Sequence, residues 1–198
     1  MGIKSIEGAR ARGEVDWKRF LATGSPREVL ARLVDGDPLG VRTLVAERLS
    51  GSRRLLDAER VTLRTLAGVA RFACRYRGRP VFSAWLKERC DEAIVDVLQE
   101  EREAAASSVK LASDPSEAFT LLAEPLGIDA HDARRACVAL HDCTFEERDA
   151  FFALVLEARS LDEVAADRDC EPTLLARRAR HVLLTILNPE ARKLEILP

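Results

Sequence analysis

The chain contains no apolar run approaching the ~20 residues that a membrane span needs, so no transmembrane segment is expected. Its first residues lack the apolar stretch of a secretory leader, being interrupted by Lys4, Glu7, Arg10 and Arg12, and Ile6 stands where a myristoylation signal requires Ser or Thr. A cytoplasmic location is therefore expected. Aromatic residues are sparse, and no stretch alternates apolar and polar residues for long enough to specify a strand. Cysteine is present at Cys74, Cys90, Cys137, Cys143 and Cys170, an odd number without a C-x-x-C pair, which excludes a disulfide framework of the secreted type. These thiols read as small buried hydrophobes. A metal site built from Cys137, His141 and Cys143, with His131, is the sharper alternative, but its spacing fits no zinc pattern. No phosphate-binding glycine loop occurs, and His131, His141 and His181 have no nucleophile or paired carboxylate beside them, so neither an enzyme nor a cofactor is expected. Finally, a net charge of −2 excludes a protein that grips nucleic acid with its whole surface; any such contact must be local, or shared with a large partner.

Ala, Leu, Arg and Glu dominate the 198 residues, and helix-start signals recur, which together predict an all-α protein. Ser25-Pro26-Arg27-Glu28, Thr144 with Glu147, and Ser160 with Glu163 are capping boxes; Asp37-Pro38 and Asp114-Pro115-Ser116-Glu117 repeat the cap-then-proline logic. About eight short helices are expected, in two small domains covering 25–106 and 116–198. The segment 104–115 (AAASSVKLASDP) is small and polar and ends in proline, so a flexible linker is placed at 107–115. Residues 1–24 form a polar extension, with a short helix near 16–21.

In the first block Leu63, Leu66, Ala67 and Ala70 repeat at helical spacing, as do Leu86, Cys90, Ala93, Ile94 and Val97, and both sets are expected to face a core. Between them lies the basic loop Arg75-Tyr76-Arg77-Gly78-Arg79-Pro80, followed by Phe82, Trp85 and Lys87. A basic loop flanked by aromatics can hold single-stranded nucleic acid; equally, Phe82 and Trp85 can be plain core. In the second block, helices are expected at 146–157, Leu161–Arg168 and Pro172–Leu187. Across the last, Leu175, Ala179, Val182 and Ile186 fall on one stripe, with Thr173, Arg177, Arg180 and His181 opposite and Arg178 at the flank. That pattern fits a recognition helix in a major groove, and it also fits a solvated basic face.

The run DAERVTLRTLAGVARFACRYRGRPVFSAWLKERCDEAIVDVLQ, residues 57–99, resembles without a gap region two of the extracytoplasmic-function (ECF) sigma factors of bacterial RNA polymerase. The second block resembles their region four: Phe145 to Phe151 stands for the "P-x-x-R-x-V-F" helix, Ser160 to Ala165 for "S-x-x-E-I-A", and Pro172–Leu187 for the helix that reads the minus-thirty-five element. The resemblance implies that the second domain is a helix-turn-helix. It also implies that helix 57–71 docks on core RNA polymerase through Asp57, Glu59, Arg60, Leu63 and Arg64. The loop 77–82 would then capture a flipped base of the melted minus-ten element. Promoter DNA and core polymerase are the implied partners, with an anti-sigma factor as a further one; no membrane partner is implied. The chain departs from the family at Arg60, Leu63 and Arg64, where Asp, Gln and Glu are usual, and at Asp91, Glu92 and Gln99, where basic and amide residues are usual. Carboxylates facing phosphates repel them, so these departures favour a second reading: a sigma-like interaction protein that does not melt promoters. Asp169 replaces the glycine of the turn and can adopt its left-handed backbone, and Arg168, where a buried leucine is usual, is expected to reach outwards.

Overall fold

The computed structural model describes residues 19–21, 23–106 and 117–188. Among these residues every regular element is helical, in agreement with the all-α expectation: α1 (Pro26–Val34), α2 (Val41–Gly51), α3 (Ala58–Phe72), a 3-10 turn (Ala73–Arg75), α4 (Phe82–Ala106), α5 (Glu117–Leu126), α6 (Ala130–Asp142), α7 (Phe145–Phe151), a π turn (Phe152–Leu156), α8 (Leu161–Arg168) and α9 (Pro172–Leu187). No described helix is long and apolar enough to cross a membrane. The expected linker 107–115 and the cap at Asp114 to Glu117 lie outside the described residues, as does nearly all of the 1–24 extension; Leu21, at its end, is fully buried.

The chain forms two compact units. One takes in the described residues up to Arg48 together with Ala58–Val97; the other takes in Leu49–Asp57 and the described residues from Leu98 onward. This division differs from one at 25–106 and 116–198, because long-range polar and apolar contacts claim two stretches for the second unit. Leu55 belongs to that unit's core with Phe119, Leu140 and Phe151. At the end of α4, the buried Glu101 pairs with Arg134 at 2.9 Å and Arg102 with Asp142 at 2.7 Å.

In the first unit Ser25 caps α1 through a complete capping box with Glu28, and α1 packs on α3. Asp37 does not start a helix at Pro38. Its carboxylate instead accepts the Val41 and Arg42 amides, each at 2.8 Å, so α2 begins three residues later. On α3 the buried stripe is Val61, Thr62, Thr65, Leu66, Val69 and Ala70, and the two threonine hydroxyls donate to the carbonyls of Ala58 and Val61 one turn back. Leu66 and Ala70 thus face the core as expected, whereas Leu63 (49 % exposed) and Ala67 face outwards. All five expected core residues of α4 are buried.

The second unit packs α9 against α6, α7 and α8. Thr144 and Ser160 close the expected capping boxes on α7 and α8. The helix expected over 146–157 is regular only to Phe151; Phe152–Leu156 widens into a π turn, closed by Glu157 N–H donating to the Phe152 carbonyl at 2.8 Å. A smaller cluster of Ala150, Ala153, Val164, Ala165, Leu175 and Ala179 fills the angle between α7, α8 and α9, and its small side chains let these helices approach closely.

Candidate nucleic-acid interfaces

Each unit carries one exposed basic surface. In the first, the chain leaves α3 through the 3-10 turn and returns into α4 through Tyr76 to Val81. Gly78 sits at φ +80°, a left-handed turn position where a side chain would be strained. The loop is braced internally: the Tyr76 hydroxyl donates to the Pro80 carbonyl at 2.9 Å, and Arg77 Nη1 donates to the Cys74 carbonyl at 2.7 Å. Arg75, Arg77, Arg79 and Lys87 are exposed. Phe82 and Trp85 are not, at 6 % each; they stack with Tyr76 in a trio whose ring centres lie 4.9 to 5.9 Å apart. These two rings are core, and no base can stack on them without unpacking the trio.

Beyond Lys87 the outer face of α4 turns acidic. A shallow groove of about 630 Å³ is lined by Glu88, Asp91, Glu92 and Asp96, with Ala84, Lys87 and Val95 between them. Arg48 pairs with Asp91, and Arg89 with Glu92 at 2.5 Å. On α3, Glu59, Leu63 and Arg64 are exposed and Arg60 is half-buried; Asp57, which precedes the helix, is half-buried as well. Glu59, Leu63 and Ala67 therefore make one outward row at helical spacing.

In the second unit α8 ends at Asp169, whose backbone is left-handed (φ 47°, ψ 49°), and Cys170 N–H donates back to the Ala165 carbonyl at 3.1 Å. Two residues later Pro172 opens α9. Leu175, Ala179, Val182 and Ile186 are buried, while Thr173, Arg177, Arg180 and His181 are exposed and Arg178 is half-buried. His181 Nε2 lies 3.6 Å from Glu147, so one end of this basic face meets an acid on α7.

Arg168 does not reach outwards. It lies half-buried and donates to Asp149 at 2.9 Å, and Arg53 Nε binds the other oxygen of the same carboxylate, also at 2.9 Å. Arg53 further pairs with Glu157 at 2.6 Å, and the largely buried Arg148 donates to the carbonyls of Ser52 and Cys143. The stretch Leu49–Asp57 is thereby strapped to α7, and the same carboxylate steadies the last residue of α8 just before the turn. Sequence reasoning assigns no role to Arg53 or Asp149, because nothing local marks residues that meet 96 positions apart.

Cys90, Cys137 and Cys143 are buried packing residues, whereas Cys74, in the 3-10 turn at the surface, is exposed and Cys170 is half-buried, so these two depart from the expected burial. Cys137 Sγ points at the Ala118 carbonyl (3.9 Å) and Cys143 Sγ at that of Ala139 (3.6 Å). Burial, with Glu101 nearby, pushes the Cys137 thiol up to about 12, which disfavours the thiolate that a metal requires. His141 is turned to the Leu55 carbonyl. Among the described residues no cluster of His, Cys, Asp and Glu is arranged to hold a metal ion.

No family model matches the chain, and neither does any curated protein or solved structure.

Proposed function

We propose that the chain is a sigma-like transcription initiation factor, which binds core RNA polymerase and directs it to promoters, with α8 and α9 acting as a helix-turn-helix. The observation that carries this reading is α9: a buried Leu175-Ala179-Val182-Ile186 stripe backing an exposed row of Thr173, Arg177, Arg180 and His181, entered through a tight left-handed turn. An arginine-lined helix of this kind suits phosphate contacts and bidentate contacts to guanine in a major groove. The outward row Glu59, Leu63 and Ala67 on α3, flanked by Arg64, suits protein docking, since an exposed leucine between charges offers an apolar anchor with a polar rim.

A second reading, a sigma-like protein that binds polymerase or a regulator without melting DNA, is favoured by two observations. Phe82 and Trp85 are buried, and the face of α4 beyond them is acidic. Run-off transcription with core polymerase on genomic fragments separates the two. Discrete start sites support the initiation factor, tight core binding without a specific transcript supports the second reading, and failure to bind core at all refutes the initiation factor and leaves of the second reading only a protein that binds a regulator. Arg177→Ala with Arg180→Ala is expected to weaken binding to promoter duplex and to reduce its salt slope by about 2, at roughly 0.9 per phosphate contact. An unchanged slope removes α9 from the interface.

A further inference from the structure

Among the described residues, four that are not glycine hold a left-handed backbone: Asp37, Arg53, Ala158 and Asp169. That conformation is costly for an L side chain and persists only where the surroundings impose it. Three of the four adjoin a single charged cluster in the second unit. Arg53 is part of it, Ala158 follows its member Glu157, and Asp169 follows its member Arg168. Arg53 reaches in two directions: Nε donates to Asp149 Oδ1 at 2.9 Å and Nη1 to Glu157 Oε1 at 2.6 Å. Its guanidinium carbon lies 5.4 Å from the centre of the Phe152 ring. Asp149 Oδ2 takes Arg168 Nη2 at 2.9 Å, and this is the one ion pair of Arg168 among the described residues. Arg168 Nη1 is buried there, with no hydrogen-bond partner among them.

We propose that Arg53 is a positioning residue for the turn between α8 and α9: it holds the Asp149 carboxylate in the orientation that fixes Arg168, and so sets how α9 leaves α8. A carboxylate with one oxygen bonded by Arg53 is no longer free to rotate, and its other oxygen stays on Arg168. Without Arg53 the carboxylate swings and hydrates, because its side chain is 19 % exposed, and Arg168 has no second acid among the described residues to hold it. The next residue is the left-handed Asp169, and Cys170 N–H closes the turn onto the Ala165 carbonyl. Loosening Arg168 therefore loosens the turn. Arg53 is itself held by its own segment, where the Ser52 carbonyl accepts Arg148 Nη2 at 3.2 Å and Leu55 and Leu56 are buried. A stretch that lies in sequence between α2 and α3 thus governs a turn far along the chain. The consequence for DNA binding rests on the reading of α8 and α9 as a helix-turn-helix; the closure of the turn does not.

The chain's own thiols report on the turn. Cys170 lies in it, half-buried against the small cluster between α7, α8 and α9, whereas Cys74 is exposed and Cys137 and Cys143 are buried. The purified full chain is pulsed with N-ethylmaleimide under native conditions, and the labelling rate of each cysteine is read by mass spectrometry. Arg53→Met keeps the aliphatic bulk; it is expected to speed the labelling of Cys170 about tenfold through local opening. Cys74 should be unchanged, and Cys170 should stay far ahead of Cys137 and Cys143, which only global unfolding exposes. Arg53→Lys keeps the charge without the fork that reaches two carboxylates, and should fall between wild type and Arg53→Met. Asp149→Asn should match Arg53→Met, and the double variant should be no faster than either alone. The proposal is overturned if Arg53→Met leaves Cys170 at its wild-type rate, if Cys170, Cys137 and Cys143 come up together, or if the two single effects multiply in the double variant. On promoter duplex, Arg53→Met should weaken binding a few-fold with the salt slope unchanged, because Arg53 supplies no phosphate contact. Accelerated Cys170 labelling in a chain whose wild type binds no duplex would sustain the role of Arg53 and reject the helix-turn-helix reading; duplex binding by the wild type with Cys170 unmoved in the variant would do the reverse.

Discussion

His141 should make the second unit sensitive to mild acid. The ring is 8 % exposed, and its Nε2 lies 3.1 Å from the Leu55 carbonyl, which can only accept, so the neutral ring donates from Nε2 and leaves Nδ1 buried with no hydrogen-bond partner among the described residues. Burial is the main force opposing a charge there. The Leu55 carbonyl favours one, while Arg54, Arg148 and Arg102 add further opposition, and the outcome is a value lowered from 6.5 to about 4. Between those two values the unfolded chain takes up a proton that the folded chain refuses, so stability falls as pH falls through this window. From pH 6.5 to 5, where most carboxylates remain ionised, the loss amounts to about 2 kcal/mol, at about 1.4 kcal/mol per pH unit. Glu28, whose carboxyl is held low by the Ser25 hydroxyl and amide, contributes only in more acidic solution. His141→Leu removes the titration and strands the Leu55 carbonyl, at a cost of about 1–2 kcal/mol near neutrality. Urea unfolding followed by circular dichroism at pH 7.5, 6.5, 5.75 and 5 should therefore show wild type and variant well separated at neutral pH and converging as acid is added. A constant gap between the two proteins across that range would refute the reasoning.

Two further substitutions probe the frame around the turn. Asp149→Asn keeps the shape but uncouples Arg53 and Arg168 from their shared carboxylate; because those side chains are about a fifth exposed, the expected loss is about 2–3 kcal/mol rather than the ~3–5 of a fully buried pair, and a urea midpoint within error of wild type would refute it. Asp169→Gly relieves a left-handed backbone at φ 47° and should stabilise the unit by about 0.5 kcal/mol, net of the freedom glycine gains when unfolded; a lower melting temperature would show that the Asp169 side chain does something the backbone geometry does not reveal.

What was legible in the sequence was local. Ser25, Thr144 and Ser160 cap helices because a hydroxyl and a glutamate three residues on suffice to satisfy the first turn, whatever surrounds it. The buried stripes of α4 and α9 follow from spacing alone, and so does the exposure of Thr173, Arg177, Arg180 and His181. Burial at a loop was harder to read. Phe82 and Trp85 flank a basic loop in sequence, but only the packing of Tyr76 against both closes them into the core. Leu63 looked like core because the apolar spacing of α3 admits two stripes, and the threonines Thr62 and Thr65, which bond back to their own helix, take the buried one. Least legible was the strap at Leu49–Asp57. Its partners Asp149, Glu157 and His141 lie 96, 104 and 86 residues from the groups they bind, beyond the reach of any periodicity.

Charge arithmetic explains why such a chain would need a larger partner. With a net charge of −2, the molecule as a whole does not attract DNA, and screening confines each charged face to a range of about 8 Å at physiological salt. If α9 neutralises three phosphates through Arg177, Arg178 and Arg180, duplex affinity falls roughly fortyfold between 50 and 200 mM salt, which leaves weak binding under cellular conditions. Selectivity can survive at that strength only if something else supplies the residence time. On the proposed reading, a polymerase that contributed most of the phosphate contacts would do so, and it would leave to α9 the smaller task of choosing where it stops.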